Sequence, residues 1–162
     1  MPVLTTRHFT LKTRGRMYSA CVRSVMLHGS ETWPLSKPDL QRLQRNDRAM
    51  IRQICGIQSK DISSVRSQSL LDQLGLVDLE IVLRRNRLQW AGHVERSSGA
   101  IKVAKDLEVE GRKGPGRPKL SWSEVTARDR KQWNLTAVDP HDKTAWRTAV
   151  RGAMTAASQS PG

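Results

Sequence analysis

Residues 36–56 read SKPDLQRLQRNDRAMIRQICG, and this stretch decides the fold class. Ser36 and Asp39 have the spacing of a capping box, in which two side chains bond the free amides at a helix start. Gly56 has the conformational freedom to end a helix in the left-handed region. The stretch therefore predicts an α-helix over residues 37–55.

The predicted helix separates apolar from cationic side chains. At 100° per residue its apolar members fall within about 100° of arc. They are Leu40, Leu43, Met50, Ile51 and Ile54. Arg45, Arg48 and Arg52 gather on the far side, where Asp47 is the only acid beside them. A solvated face and a phosphate-binding face both fit this stripe.

Helix signals also dominate the flanking sequence, and they predict an all-α protein. We expect a small irregular bundle of about five to six helices with a basic Gly/Pro loop. A first helix is expected over 11–28, a short one ending at Gly75, and a third over 79–96 capped by Asp78. A Ser121/Glu124 capping box and the pair Asp139 and Pro140 mark the starts of two more.

These signals divide the chain into five segments. They are an N-terminal tail (1–10), a basic helical region (11–96), a basic flexible linker or loop (97–119), a C-terminal helical hairpin (120–153) and a disordered tail (154–162).

The composition favours a polyanionic partner. The chain has 28 Lys and Arg against 15 Asp and Glu, a net charge of +13 and a pI near 10.9. Residues 1–96 hold 16 cationic and 8 acidic side chains, and residues 97–162 hold 12 and 7. Because the charge is spread over both parts, it belongs to a folded body and indicates nucleic acid as the partner.

Cysteine content and hydropathy indicate the cellular compartment that the sequence favours. Cys21 and Cys55 form no CxxC pair, which suggests neither a disulfide framework nor a common zinc site. No apolar run resembles a signal peptide or a membrane span. We expect an intracellular protein, nuclear or cytoplasmic, with no membrane partner.

A second cationic cluster lies in RRNRLQWAGHVER at residues 84–96. We expect Arg84, Arg85, Arg87 and Arg96 to form a second phosphate track, since guanidinium groups pair with phosphates. Trp90 in the same helix fits a core position better than a base-stacking platform.

The segment EGRKGPGRPKLSW at 110–122 predicts a mobile basic clamp. Its cations are Arg112, Lys113, Arg117 and Lys119. Gly116-Arg117-Pro118 resembles the minor-groove core of AT-hook peptides, although Pro115 stands where that core carries another arginine. Arg117-Pro118 also replaces the Lys-Ser/Thr of a phosphate loop, so nucleotide hydrolysis is not supported.

No arrangement of catalytic residues is visible. The four histidines are widely separated, and none belongs to an HExxH motif. No adjacent aspartates offer the paired carboxylates of two-metal phosphoryl transfer. We predict no catalytic residue, no metal site and no cofactor in this chain.

Four blocks together resemble a known family. They are LKTRGRMYSACVRSVMLHGSETWPLSKPDLQRLQRNDRAMIRQICGI, RRNRLQWAGHVER, EGRKGPGRPKLSW and DKTAWRTAVRG. In this order and spacing they resemble the C-terminal part of a non-LTR (LINE-type) retrotransposon endonuclease/reverse transcriptase. The resemblance covers about residues 10–152.

The resemblance implies a thumb and post-thumb helical region that holds template and primer. The family is an RNA-directed DNA polymerase whose Mg²⁺ and catalytic aspartates belong to a palm motif that these residues do not match. We therefore expect a non-catalytic, transposable-element-derived fragment that binds RNA, DNA or a hybrid. The alternatives are a stand-alone helical DNA-binding protein and a helical interaction module that docks on upstream reverse-transcriptase domains.

Overall fold

The computed structural model describes residues 2–6, 8–57, 65–107 and 120–159. These residues form helices and turns with no β-strand among them, so the predicted all-α class is confirmed. The α-helices are α1 (Pro2–Thr5), α2 (Leu11–Met17), α3 (Ser24–Met26), α4 (Lys37–Cys55), α5 (Ser67–Leu74), α6 (Leu79–Arg96), α7 (Ala100–Asp106), α8 (Trp122–Gln132) and α9 (Lys143–Gln159). A π-helical stretch, Tyr18–Arg23, joins α2 to α3, and Ser30–Thr32 form a 3₁₀ turn.

The chain divides into two compact units. Unit 1 comprises Met1–Gly29 and Lys37–Val82, and unit 2 comprises Ser30–Ser36 and Leu83–Gly162. The division falls inside α6, so the first turn of this helix belongs to unit 1 and the remainder to unit 2. The segments expected from the sequence had kept residues 11–96 together.

Unit 1 is held by the apolar stripe of α4 and the side chains of α5. Its buried cluster consists of Leu4, Tyr18, Ile51, Ile54, Leu70, Leu71, Leu74 and Leu76. Gly15 brings α2 directly onto α5, because a Cβ there would lie 2.0 Å from the carbonyl oxygen of Leu74. Arg14 donates from Nη1 to the carbonyl oxygen of Ile54 at 2.8 Å, which satisfies a carbonyl in the last turn of α4.

Unit 2 is built around Trp146 of α9, which is 1 % exposed. Its indole Nε1 donates to the carbonyl oxygen of Leu88 in α6 at 2.9 Å. Gly92 makes room for this ring, since a Cβ there would lie 2.4 Å from the indole nitrogen. The guanidinium of Arg130 lies 5.3 Å from the indole centroid. The WAGHVER and TAWRTAV sequence blocks therefore form one packing unit.

Local sequence signals located most helix boundaries correctly. The predicted helix over 37–55 is α4, and Gly56 follows it at a φ of +72°. Gly75 ends α5 at a φ of +64°, and Ser121 and Glu124 form the expected reciprocal capping box. Asp78 accepts from the amide of Glu80 at 2.8 Å at the start of α6. These predictions are confirmed.

Four boundary predictions were wrong. Residues 97–119 were expected to be a flexible linker or loop, but Ala100–Asp106 form α7. Residues 1–10 were expected to be a tail, but α1 packs against α4 and buries Leu4. The last helix begins at Lys143, after Asp142, whose carboxylate accepts from the amides of Thr144 and Ala145. Residues 154–162 were expected to be a disordered tail, but α9 continues to Gln159. The alanines beyond residue 153 favour the helix.

Candidate nucleic-acid interface

The arginine-bearing face of α4 carries the first predicted phosphate track, and it borders the unit 1 core at Arg48 and Arg52. Arg45 and Arg48 are exposed and Arg52 is half-buried. Within the described part of the chain, no carboxylate forms an ion pair with any of the three. Their Cα atoms span about 10 Å of helix at a rise of about 1.5 Å per residue. This face, Arg45, Arg48 and Arg52, is called the α4 track below.

Asp47, the acid expected to offset the arginines of α4, is buried. Its Oδ1 accepts from the Tyr18 hydroxyl and from Arg23 Nε, both at 2.8 Å, and its Oδ2 accepts from Arg23 Nη2 at 2.7 Å. Both members of this ion pair are 4 % exposed. Because Arg23 neutralises it inside the unit, Asp47 does not screen the α4 track at close range.

The same contacts stabilise the neutral form of Tyr18. Burial, followed by the charge of Asp47 and the hydrogen bond to it, raises the pKa of Tyr18 well above its ordinary value of 10.0. Arg23 also donates from Nη1 to the carbonyl oxygen of Val77 at 2.6 Å. No pattern in the sequence indicated a partner for Arg23.

The second predicted track on α6 is not an exposed surface. Arg84 Nε donates to Asp129 Oδ1 at 3.0 Å, and Arg87 Nε donates to Asp129 Oδ2 at 2.9 Å. Arg87 and Asp129 are buried, and the guanidinium of Arg84 also lies 5.7 Å from the ring centroid of Trp133. The prediction that Arg84 and Arg87 face phosphate was wrong, because α8 supplies a buried carboxylate that engages both.

The other two members of that track are half-buried and lie apart from this cluster. Arg85 donates to Oδ1 of Asn86 at 3.1 and 2.8 Å, and burial lowers its pKa from the ordinary value of 12.5. Arg96 donates to the carbonyl oxygen of Pro140. The four arginines thus do not form one surface. The predicted clamp residues Arg112, Lys113, Arg117 and Lys119 lie outside the described residues.

Helix α9 carries a cationic stripe that sequence analysis missed. Lys143, Arg147 and Arg151 are spaced four residues apart and all are exposed. This spacing places them along one side of a helix, so the signal was present in the sequence.

Trp90 is half-buried, although the sequence favoured a core position for it. Its ring centroid lies 5.0 Å from that of His93, with the two planes at 42°. One edge of this aromatic pair borders a pocket of about 270 Å³ that Glu31, Asn86 and Gln89 also line.

No family model, curated protein or solved structure matches this chain. Among the described residues, no three His, Cys, Asp or Glu side chains lie close enough together to hold a metal ion. None of the helices in the described ranges is both long and apolar enough to cross a bilayer.

Proposed function

We propose that this chain is a non-catalytic nucleic-acid-binding segment derived from the C-terminal region of a non-LTR retrotransposon reverse transcriptase. In this proposal it holds template and primer, as RNA, DNA or a hybrid, through phosphate contacts. Its site of action is intracellular, nuclear or cytoplasmic, where such templates occur.

The exposed α4 track is the observation that supports the proposal most. Three arginines project from one side of a rigid helix, and the nearest acid in sequence, Asp47, is bound to Arg23 inside unit 1. Guanidinium groups form strong, charge-assisted hydrogen bonds with phosphate oxygens. Such contacts bind the backbone whatever the base sequence. A sequence-independent grip on template and primer requires contacts of this kind.

The resemblance of the four sequence blocks supplies the biological setting of the proposal. Three of these blocks supply most of α4, α6 and α9. A thumb-like helical region acts by positioning a duplex, which needs cations on a firm scaffold and needs no catalytic group. The proposal therefore assigns this chain binding and no bond-making step.

Charge-matched variants test the role of the α4 track. The first variant combines Arg45→Gln, Arg48→Gln and Arg52→Gln. The control combines Lys102→Gln, Arg128→Gln and Lys131→Gln, which removes the same charge from exposed positions in unit 2. We expect the α4 variant to bind duplex DNA and RNA–DNA hybrid at least about tenfold more weakly than the control, by fluorescence anisotropy at low salt. Equal weakening by the two variants would show that net charge alone acts.

Exposed apolar residues favour a second candidate function, a module that docks on polymerase domains. Ile101, Val103 and Leu107, in and just after α7, are exposed, with Val103 at 66 % and Leu107 at 64 %. Clustered apolar exposure marks protein contact sites. Co-purification with a reverse-transcriptase palm fragment in high salt tests this candidate, because salt screens phosphate-type contacts while apolar contacts persist. Loss of co-purification in high salt would exclude it.

A further inference from the structure

Two adjoining pockets follow α6 within unit 2. The first, of about 270 Å³, is lined by Glu31, Asn86, Gln89, Trp90 and His93. The second, of about 310 Å³, is lined by Gln89, His93, Arg96, Lys143, Trp146 and Arg147. Gln89 and His93 line both, so the two pockets lie side by side along α6; together they are called the α6–α9 groove below.

One end of the α6–α9 groove is cationic. Lys143 and Arg147 are exposed and stand one helical turn apart at the start of α9, with Arg96 of α6 beside them. The acids nearest in sequence, Asp139 and Asp142, accept hydrogen bonds from the amides of His141, Thr144 and Ala145. Neither acid lines the pocket. Three cations converging on a cavity suit an anion of the size of a phosphate.

The other end of the α6–α9 groove is aromatic and polar. Trp90 and His93 present two adjacent rings, 5.0 Å apart between centroids. Around them, Asn86 and Gln89 carry amide groups and Glu31 carries a carboxylate, so donors and acceptors border the flat surface. A nucleobase needs this combination, because its face stacks on aromatic rings and its edge forms hydrogen bonds.

We propose that the α6–α9 groove binds one unpaired nucleotide of a single-stranded segment, with its base against Trp90 and His93 and its phosphate against Lys143 and Arg147. A base inside a duplex is stacked between its neighbours and cannot enter such a groove without being extruded. The occupant is therefore a nucleotide in a single-stranded region. This inference rests on the proposed function and adds a base-contacting site to its phosphate contacts.

A comparison of ligands tests the base site without altering the protein. The full chain is titrated with a single strand of about 10 nucleotides and with an abasic strand of equal length and charge. We expect the base-bearing strand to bind about tenfold more tightly, because each base stacked on an aromatic ring adds affinity. Equal affinity for the two strands overturns the inference, whereas binding of both strands at low salt leaves the proposed function standing.

Matched tryptophan variants locate the preference for bases. Trp90→Ala is compared with Trp33→Ala. Trp33 is a partly exposed tryptophan of unit 2 that does not line the groove. We expect Trp90→Ala to abolish the difference between base-bearing and abasic strands, Trp90→Phe to restore part of it, and Trp33→Ala to leave it intact. Affinity for the abasic strand serves as the control for folding in each case. A preserved difference in Trp90→Ala overturns the inference.

Matched charge variants test the phosphate end. Lys143→Gln with Arg147→Gln is compared with Arg128→Gln with Lys131→Gln, and each pair removes one lysine and one arginine. A free mononucleoside monophosphate is the probe, because it is too small to span other cations. We expect the first pair to lose most of the binding and the second pair to retain it. Equal losses of binding by the two pairs overturn the inference, and so does a lack of binding by the unaltered protein. Both outcomes are independent of whether long strands bind to the α4 track.

Discussion

Helices α4 and α6 are both rich in arginine, yet their arginines differ in exposure and in ion pairing. Arg45 and Arg48 of α4 are exposed, whereas Arg87 of α6 is 6 % exposed and is ion-paired with Asp129. Composition cannot separate the two cases. What separates them is whether a distant segment brings a buried carboxylate to the helix, because a guanidinium leaves water only when such a partner compensates its desolvation.

Among the described residues, each unit contains one buried aspartate that is paired with arginine. Asp47 in unit 1 accepts from Arg23 and Tyr18, and Asp129 in unit 2 accepts from Arg84 and Arg87. In unit 1 the buried acid belongs to the arginine-rich helix α4 and pairs with Arg23 of another helix, so it does not engage the α4 track. In unit 2 the buried acid belongs to α8 and pairs with two arginines of α6, which removes them from the surface.

Removal of a buried aspartate should have the largest effect. We expect Asp129→Ala to lower the free energy of unfolding by about 3–5 kcal/mol, because two guanidinium groups lose the buried carboxylate that they share. Asp47→Ala should act similarly on unit 1. Urea denaturation followed by circular dichroism measures both, with the exposed Asp106→Ala as control. A loss no greater than that of the control would contradict the assignment of these ion pairs.

The same substitution on the two helices should give different results. We expect Arg87→Gln to lower the free energy of unfolding by about 3 kcal/mol, since it breaks a buried pair. Arg48→Gln should change it by no more than about 0.5 kcal/mol, as is usual for exposed positions. Thermal and urea unfolding of the two variants provide the measurement. Similar values for the pair would remove the distinction between α4 and α6.

Alkaline pH should weaken unit 1 through Tyr18. The pKa of Tyr18 is raised in the folded protein, so its contribution is complete below the unfolded value of 10.0 and is lost as pH rises above it. The loss should reach about 1.4 kcal/mol per pH unit for this one group. Tyr18→Phe should remove that part of the pH dependence.

Tyr18 also offers a direct optical test, because it is the only tyrosine in the chain. Because its pKa is raised in the folded protein, tyrosinate absorbance should appear only as the protein unfolds. Ionisation at the ordinary pKa in protein that is still helical would contradict the buried contact with Asp47.

The parts of the fold that local sequence determines were predictable. The start of α8 depends on Ser121 and Glu124, three residues apart, and the end of α4 is marked by Gly56 at a positive φ. The start of α9 was misplaced because two nearby aspartates compete to cap it. Asp142 bonds the helix amides, while Asp139 bonds His141 in the preceding turn.

The site was less predictable, because its chemistry depends on long-range pairs. Arg23 and Asp47 are 24 residues apart, and Arg87 and Asp129 are 42 residues apart. No periodic pattern within one helix indicates such partners. Sequence periodicity identified the α4 track because an amphipathic helix fixes its own outer face. It could not identify which arginines of α6 would be buried, because α8 determines that.

The salt dependence of binding tests the central claim that the α4 track grips phosphate. On duplex DNA, we expect the logarithm of the association constant to fall steeply with the logarithm of salt concentration, at about −0.9 per neutralised phosphate. The variant with Arg45→Gln, Arg48→Gln and Arg52→Gln should reduce the magnitude of that slope by roughly 2 to 3. A slope near zero for the unaltered protein, or an unchanged slope for the variant, would contradict the claim.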